Sequence, residues 1–200
     1  MKHIQDYTAY QLRPRNRLRQ LVRDWYLESA ARLVKGRGID LGCGPGELLQ
    51  RLPEGSIGLE VNPALVQHCR SRGMDVRLYD PQGDCYRLAD LTPGAYDSLI
   101  LSHVLEHLQC PAESLRTLLH SARRLALRRV LVIVPGKKGF ASDPTHRHHI
   151  DAGFFKANSL ESTAGYKIAA QNSFPGNIRL LGSVFTHHEF RIVYDSVNSP

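Results

Sequence analysis

The chain has 200 residues, of which 42% are hydrophobic and 22% are charged. This composition is typical of a soluble globular protein with a buried core, and it excludes the disordered and fibrous classes. The longest apolar run near the middle, residues 130–134, is too short to cross a bilayer, and the first residues lack the apolar segment of a secretory signal. We therefore expect a cytoplasmic protein without a membrane span.

The positive charge is concentrated at one end of the chain. Residues 1–37 contain nine basic and three acidic side chains, a net charge of +6, whereas the whole chain carries +7. Such a basic arm can steer an acidic substrate, a phosphate or RNA towards a site, or it can be the solvated face of a helix. No aromatic-and-basic RNA-binding motif accompanies it, so nucleic acid stays a minor alternative as a partner.

The first 37 residues predict a helical segment. Pro14 suits a first helical turn, apolar residues recur from Leu18 to Leu33 with helical spacing, and Gly36 ends the pattern. A helix with one apolar stripe must pack against another element. We therefore expect residues 1–37 to lie on the following domain, residues 38–200.

From residue 38 onwards, short apolar runs alternate with helical stretches. This alternation predicts βαβ units and a mainly parallel sheet with helices on both faces, an α/β fold. No linker divides the chain, which favours one compact domain. The predicted strands are residues 39–41, 57–61, 76–79, 98–101, 130–134 and 183–194, the predicted helices are residues 47–52, 63–72, 111–127 and about 153–163, and residues 172–176 are predicted as a turn.

The strongest local signal is a glycine-rich turn after the first predicted strand. Gly42, Gly44 and Gly46 follow Asp40 in a G-x-G-x-G pattern, in which glycine permits tight turns and the close approach of a ligand to the backbone. Glu60 ends the next strand, where a carboxylate can accept two hydrogen bonds from a ribose diol. No Gly-Lys-Ser/Thr sequence follows, which excludes a P-loop. The pattern indicates a ligand that contains a nucleoside.

Four blocks along residues 38–135 together resemble the class I S-adenosylmethionine-dependent methyltransferases. The blocks are Ile39-Asp-Leu-Gly-Cys-Gly-Pro-Gly46, Gly58-Leu-Glu-Val-Asn62, Tyr96-Asp-Ser-Leu-Ile-Leu-Ser-His-Val-Leu-Glu-His107 and Arg129-Val-Leu-Val-Ile-Val-Pro135. Residues 102–107 are most similar to the branch that includes MetW-type methionine-biosynthesis proteins and small-molecule methyltransferases. The resemblance implies a Rossmann-like fold with a seven-stranded, mostly parallel sheet, an N-terminal helical lid and S-adenosylmethionine as cofactor.

The resemblance also implies which residues form the site. Those expected to bind the cofactor are Asp40, Gly42, Cys43, Gly44, Glu60, Val61, Asp80 and Ser102. The aspartate and the glycines of the turn would hold the methionine part, Glu60 the ribose hydroxyls, and Asp80 the adenine amino group. Ser102 and His103 would border the sulfonium and the substrate, and Tyr7 and Tyr10 would belong to the lid.

A first group of histidines follows the fourth predicted strand. His103 and His107 are four residues apart, as in an H-E-x-x-H zinc helix, but here the glutamate precedes the second histidine. We therefore expect no metal, we keep His103 as a catalytic candidate, and we interpret His107 as packing on a helix face. His188, near the end of the chain, is expected to have no chemical role.

A second histidine group, residues 143–149, follows the fifth strand at the edge where open parallel sheets bind ligands. An oxygen or nitrogen acceptor can require removal of its proton, and a histidine suits that role. His146 is the preferred general base or substrate contact, with His148 and His149 as alternates. A polar surface loop is the other interpretation, and a metal site formed with the aspartate of this segment is a weaker one.

The resemblance implies transfer of a methyl group from S-adenosylmethionine to an oxygen or nitrogen atom of a small molecule, such as a sugar, a lipid-linked intermediate or a secondary metabolite. Two alternatives stay open. One is a non-catalytic MetW-like partner or regulator of a biosynthetic enzyme. The other is an RNA or protein methyltransferase, which only the basic N-terminal arm supports. A nicotinamide-dependent dehydrogenase ranks below both, because G-x-G-x-G and residues 102–107 fit it poorly.

Overall fold

A computed structural model describes residues 17–175 and 188–197. Tyr7, Tyr10 and Pro14 lie outside the described residues, as do residues 183–187 of the last predicted strand. The helices are α1 (Arg17–Ala31), α2 (Pro63–Ser71), α3 (Pro81–Asp84), α4 (Pro111–Arg124), α5 (Lys137–Ala141) and α6 (Ala152–Ala157). The strands are β1 (Gly38–Leu41), β2 (Ile57–Glu60), β3 (Val76–Leu78), β4 (Ser98–Ser102), β5 (Arg129–Pro135), β6 (Ser162–Thr163), β7 (Tyr166–Phe174) and β8 (Glu189–Ser196).

The strands form one sheet in the order β3-β2-β1-β4-β5-β8-β7-β6. The first five strands in this order, β3, β2, β1, β4 and β5, are parallel to one another. β8 pairs antiparallel with β5, β7 with β8, and β6 with β7. The predicted α/β class and the five predicted parallel strands are confirmed. The described sheet has eight strands instead of seven, because the short β6 adds an edge strand to β7.

Helices cover both faces of the sheet. α1 packs on one face through Tyr26, Leu27 and Ala30, which join a cluster with Ile100 of β4. α4 packs on the other face, with its apolar side chains against the alternate residues of the same strands. No helix in the described part of the chain combines the length and the apolar character that crossing a bilayer requires. The central strands are therefore buried on both faces, which explains their continuous apolar sequences.

The helix predicted for residues 47–52 does not form. After β1 the backbone runs through a series of turns in which Gly42, Gly44 and Gly46 all have positive φ, and only Leu49–Arg51 forms a short 3₁₀ helix. Leu52, which precedes Pro53, is extended. The residue before a proline disfavours the helical region, so the short apolar stretch ends before an α-helix can propagate.

The C-terminal predictions were partly wrong. Residues 172–174, predicted as a turn, are the end of β7, and the helix predicted for residues 153–163 ends at Ala157, so that Ser162–Thr163 can pair with β7. β7 is difficult to recognise because most of its middle residues are exposed and it contains an irregularity between Ile168 and Ala170. Such a strand lacks the simple alternation of apolar and polar residues on which sequence prediction depends.

Candidate functional site

A cavity of about 560 Å³ opens at the carboxyl ends of β1, β2 and β4. β1 lies between β2 and β4, so the strand order reverses at this point. In open α/β sheets, ligands bind in the crevice outside the carboxyl ends of the strands at such a switch point. The volume lies within the range of small-molecule and cofactor sites. This position and size mark the cavity as the candidate site.

The glycine turn forms one wall of the cavity. The Gly42 amide donates to the Leu59 carbonyl at 2.7 Å, which holds the turn against the end of β2. A Cβ atom on Gly42 would lie 2.8 Å from Cγ2 of Val104, closer than Cβ atoms pack. Its φ of +71° is also a backbone conformation that favours glycine. The turn can therefore place its backbone amides next to a ligand only because this position is glycine.

Glu60 connects the glycine turn with the start of α2. Its Oε2 accepts a hydrogen bond from the Gly44 amide and its Oε1 accepts one from the Asn62 amide, both at 2.9 Å. The side chain is buried and lines the cavity. A carboxylate oxygen can accept more than one hydrogen bond. Glu60 is thus held rigidly and keeps the capacity to bind two hydroxyl groups.

Asp40 is the buried acid at the base of the cavity. The side chain is 1% exposed, and Oδ2 has no hydrogen-bond partner among the described residues. Burial, together with the negative charge of Glu60, raises the pKa of Asp40 to about 8. A buried carboxyl group without a partner is costly unless a cationic or hydrogen-bonding ligand completes its environment. The ammonium group of an amino-acid moiety has the required charge, so these residues fit the methionine part of S-adenosylmethionine.

The structure places most of the other predicted cofactor residues at the cavity, but not Asp80. Cys43, Val61 and Ser102 all line it. The exposed Asp80 instead accepts a hydrogen bond from the Gln82 amide and caps α3. Its neighbour Tyr79, which the sequence analysis missed, lines the cavity and donates a hydrogen bond to Asp84.

Two carboxylates face the His103 ring. Its Nδ1 lies 3.2 Å from Oε1 of Glu106 and its Nε2 lies 2.9 Å from Oε1 of Glu189. Burial disfavours the charged ring, but the two carboxylates outweigh it and raise the pKa of His103 to about 10. A histidine already protonated at neutral pH, with both nitrogens facing carboxylates, has no lone pair to receive a proton. His103 therefore does not fit the role of a general base.

Behind His103, a buried ion pair reaches the first helix. Burial opposes ionisation of Glu189, but His103 and Arg191 outweigh it and lower the pKa of this carboxyl group. Arg191 also donates to Oγ of Ser29 at 2.7 Å and to the Tyr26 carbonyl at 3.1 Å. Sequence analysis missed this network, because Glu189 and Arg191 appear only as charges in a terminal strand.

His188 also differs from its prediction. The side chain is buried and lines the cavity, and neither ring nitrogen has a hydrogen-bond partner among the described residues. Burial lowers the pKa of His188, so the ring is neutral at neutral pH. His188 therefore lies at the candidate site, a position that the expectation of no chemical role did not anticipate.

Of the histidines in the segment 143–149, only His146 reaches the cavity. Its Nδ1 donates to the Phe140 carbonyl at 2.9 Å, and its Nε2 lies 3.9 Å from carboxylate oxygens of Glu106 and Asp143. The ring stacks on Phe140. Two backbone bonds fix the segment, since the amides of residues 147 and 148 donate to the Glu106 carbonyl at 2.8 and 3.2 Å.

The alternates His148 and His149 do not line the cavity. His148 contacts the Gln109 carbonyl through Nε2 at 3.2 Å, and His149 is exposed with its ring against the edge of Phe140. His146 faces the cavity because the segment turns at residues 143–146 instead of running extended. Geometry thus separates three histidines that sequence alone could not distinguish.

The prediction that His107 packs on a helix face was wrong. Residues 105–107 form a single 3₁₀ turn, and the His107 ring lines the cavity with its centroid 4.7 Å from that of His146. Burial lowers the pKa of His107, so its ring is neutral. Glu106 is fully buried beside it, and neither of its carboxylate oxygens accepts a hydrogen bond from the described residues.

Comparison with known proteins shows which family the chain resembles. The family model described as methionine biosynthesis protein MetW matches residues 26–135, more than half of the chain. The ubiquinone biosynthesis O-methyltransferase of Methylococcus capsulatus is 28% identical over an alignment of 98 residues, and the match covers 46% of this chain and 40% of that enzyme. The match thus spans well under two thirds of that enzyme's length.

Solved structures share the fold. A SAM-dependent methyltransferase from Archaeoglobus fulgidus superposes with a TM-score of 0.66 at 20% identity, covering 89% of this chain and 94% of that one. The magnesium protoporphyrin IX methyltransferase of Synechocystis with bound SAH superposes with a TM-score of 0.61 at 16% identity, covering 92% and 89%. The chain therefore belongs to the MetW family and has the fold of the class I S-adenosylmethionine-dependent methyltransferases.

Proposed function

We propose that the protein binds S-adenosylmethionine and transfers its methyl group to an oxygen or nitrogen atom of a small molecule. The observation that carries this proposal is the pair of buried acids at the switch point: Asp40, whose Oδ2 has no hydrogen-bond partner among the described residues, and Glu60, which two amides hold. Asp40 offers a negative group to the ammonium of the cofactor, and Glu60 offers acceptors to its ribose hydroxyls. The glycine turn, with Cys43, Val61 and Ser102, completes this half of the cavity.

When bound, S-adenosylmethionine supplies a methyl group on a positively charged sulfur, and transfer breaks one C–S bond as a bond from the acceptor to carbon forms. The protein has to align the two reactants and exclude water. In the proposed arrangement the acceptor lies in the part of the cavity that His107, Asp143 and His146 line, the acceptor end. His146 borders the acceptor there, with its ring held by the contact of Nδ1 with the Phe140 carbonyl.

We also propose that residues 1–37 act as a lid. Arg23, Tyr26 and Leu27 of α1 line the cavity next to the glycine turn. Arg23 pairs with Glu47, and Arg51 pairs with Asp24, so two ion pairs hold the helix to the segment after the glycine turn. The helix arginines are thus partly used within the chain, which weakens the case for an RNA-binding arm.

Binding of S-adenosylhomocysteine, measured by calorimetry, tests the cofactor half of the proposal. We expect saturable binding by the wild type and at least about tenfold weaker binding by Glu60→Gln, because hydrogen bonds to a charged group contribute about 1.5–3 kcal/mol. Glu54→Gln, which changes an exposed acid in a loop, is the matched control and should bind like the wild type. An absence of binding to the wild type would overturn the proposal.

Turnover tests the acceptor half. Methyl-labelled S-adenosylmethionine is offered with panels of hydroxylated and amino small molecules, and with RNA as a separate arm. We expect a small molecule to be labelled, and His146→Ala to lose labelling while it keeps its affinity for S-adenosylhomocysteine. The MetW match also supports a second candidate, a non-catalytic partner of a biosynthetic enzyme. Intact cofactor binding without labelling of any acceptor would favour that candidate.

A further inference from the structure

Glu106 is a buried acid that the proposed cofactor site does not use. Its side chain is fully buried, and neither carboxylate oxygen accepts a hydrogen bond from the described residues. His103 offsets part of its charge through Nδ1, which lies 3.2 Å from Oε1, but His103 shares its own charge with Glu189. No atom of the described residues donates a hydrogen bond to Oε2. A buried carboxylate in this state requires a further partner, since burial without one is costly.

Two imidazole rings lie beside this carboxylate. Nδ1 of His146 donates to the Phe140 carbonyl, so Nε2, which lies 3.9 Å from Oε1 of Glu106, is the nitrogen that is left to bind a ligand. Nδ1 of His107 lies 3.2 Å from Oγ1 of Thr145, whose own proton goes to Asp143 at 2.6 Å. Nδ1 of His107 is therefore the donor in that contact, which leaves Nε2 as the nitrogen that can bind a ligand.

This arrangement brings three electron-pair donors together. One nitrogen from each ring and one oxygen of Glu106 lie within 4.8 Å of one another. A hydrogen bond from each ring to a carbonyl or hydroxyl oxygen is also the usual outer shell of histidine ligands to metals, because it fixes the tautomer and the ring orientation.

We propose that Glu106, His107 and His146 bind one divalent transition-metal ion at the acceptor end of the cavity. Two imidazoles and a carboxylate are ligands that suit zinc, iron and their neighbours in the first transition row. Bonds of about 2.0 Å in a tetrahedral site place ligand atoms about 3.3 Å apart, so side-chain rotations close the present distances. His103 remains the outer partner of the Glu106 carboxylate.

Asp143 lines the cavity next to the proposed ligands, where an acceptor could reach the ion. Oδ1 of Asp143 is occupied by Thr145, and its Oδ2 lies 3.9 Å from Nε2 of His146. An acceptor hydroxyl bound to the ion would be held in place and be more acidic, and Oδ2 of Asp143 would take its proton as the bond from oxygen to the methyl carbon forms and the C–S bond breaks. This catalytic role rests on the proposed function. Binding of the ion itself does not.

Zinc titration of the purified chain, freed of metal by a chelator, tests the site. We expect one equivalent to bind by calorimetry, and cobalt to give the intense visible absorption of a four-coordinate site. His146→Ala and His107→Ala should weaken zinc binding by at least about tenfold, since loss of an outer-shell partner alone has that effect. His148→Ala, in the same segment but outside the cavity, is the matched control and should bind like the wild type.

Two results would overturn the site: no stoichiometric binding of zinc to the wild type, or equal affinity in His146→Ala and His148→Ala. Circular dichroism on each variant establishes that it is folded, and two separate ligand variants protect the test against misfolding of one of them. S-adenosylhomocysteine binding is measured on the same samples. Metal binding without cofactor binding contradicts only the proposed function, and cofactor binding without metal binding contradicts only the metal site.

Discussion

Among single residues, Asp40 shows most directly how burial changes the chemistry of a side chain. β1 places it between β2 and β4, where it pairs with Gly58 on one side and Ile100 on the other. The sheet removes it from water, and Glu60 adds a like charge, so the pKa of Asp40 is raised to about 8. A cationic ligand would reverse this effect by favouring the ionised form.

Asp40→Asn should change the pH dependence of stability. The folded chain keeps the Asp40 proton up to about pH 8, whereas the unfolded chain loses it near pH 4, so this group destabilises the wild type as pH rises between these values. We expect Asp40→Asn to gain stability relative to the wild type by up to about 1.4 kcal/mol per pH unit in that window. Urea unfolding at pH 5, 6, 7 and 8 measures this; a difference that does not change with pH would contradict it.

Sequence predicted the cofactor half of the site better than the acceptor half. Asp40, the glycine turn and Glu60 are close in sequence, and their spacing alone indicates their chemistry. The protonation of His103 depends instead on Glu189, which is 86 residues away. His146 lines the cavity and His148 does not, and this difference depends on a turn that no residue pattern reveals. Long-range pairing and local backbone direction are therefore what sequence analysis could not supply.

At the scale of elements, the contact between α1 and the end of β7 holds the first helix on the sheet. Phe174 packs edge-on against Trp25, with ring centroids 4.6 Å apart, and the Arg191 guanidinium lies 4.5 Å above its ring. Trp25 itself is 59% exposed, so it is a surface contact of the helix and not part of the core. The sequence predicted that α1 packs on the domain but not that β7 is its partner.

Phe174→Ala should loosen α1. The side chain is almost fully buried, and truncation of such a phenylalanine costs about 3–5 kcal/mol of folding free energy. We expect that loss in urea unfolding, together with faster hydrogen exchange in residues 20–31. Leu78→Ala, which truncates a leucine that is 59% exposed, is the control and should change stability by less than about 0.5 kcal/mol. Unchanged exchange in α1 would show that Phe174 does not hold it.

The helices and strands were predictable where the sequence carries a simple signal, such as a helix cap or a continuous apolar run. α2 begins at Pro63 with the Asn62 side chain accepting from the Ala64 amide, as the Asn-Pro pair predicts. Parallel strands buried on both faces have continuous apolar sequences. The antiparallel strands β7 and β6 lie at the edge of the sheet with mixed exposure, so their sequences do not distinguish them from loops.

At the scale of the whole molecule, the cavity forms only when the chain is folded. Its walls come from α1, from the turns after β1 and β2, from the ends of β4 and β5, and from the residues that begin β8. Segments this far apart in the sequence do not form the site in an unfolded chain. A ligand of the cavity therefore stabilises the fold by mass action.

S-adenosylhomocysteine at a hundred times its dissociation constant should raise the melting temperature by about 5–11 °C. Binding at that concentration adds about 2.7 kcal/mol, and a chain of this length gains about 2–4 °C for each kcal/mol. Differential scanning fluorimetry measures the shift. Glu60→Gln at the same ligand concentration should shift less, and a wild type that melts at one temperature with and without the ligand would contradict the expectation.

Arg191 joins two parts of the molecule that are distant in sequence. One part of its guanidinium contacts Glu189 next to the cavity, and another contacts Ser29 and the Tyr26 carbonyl in α1. Lifting the helix would leave this charge with fewer partners in a place that water does not reach, and Glu189 would then hold His103 less firmly. The position of α1 and the position of His103 are thus coupled through Arg191 and Glu189. A molecule that binds to the outer face of α1 and moves it would change the contacts of His103, and an acceptor that displaces His103 would change the contacts of α1.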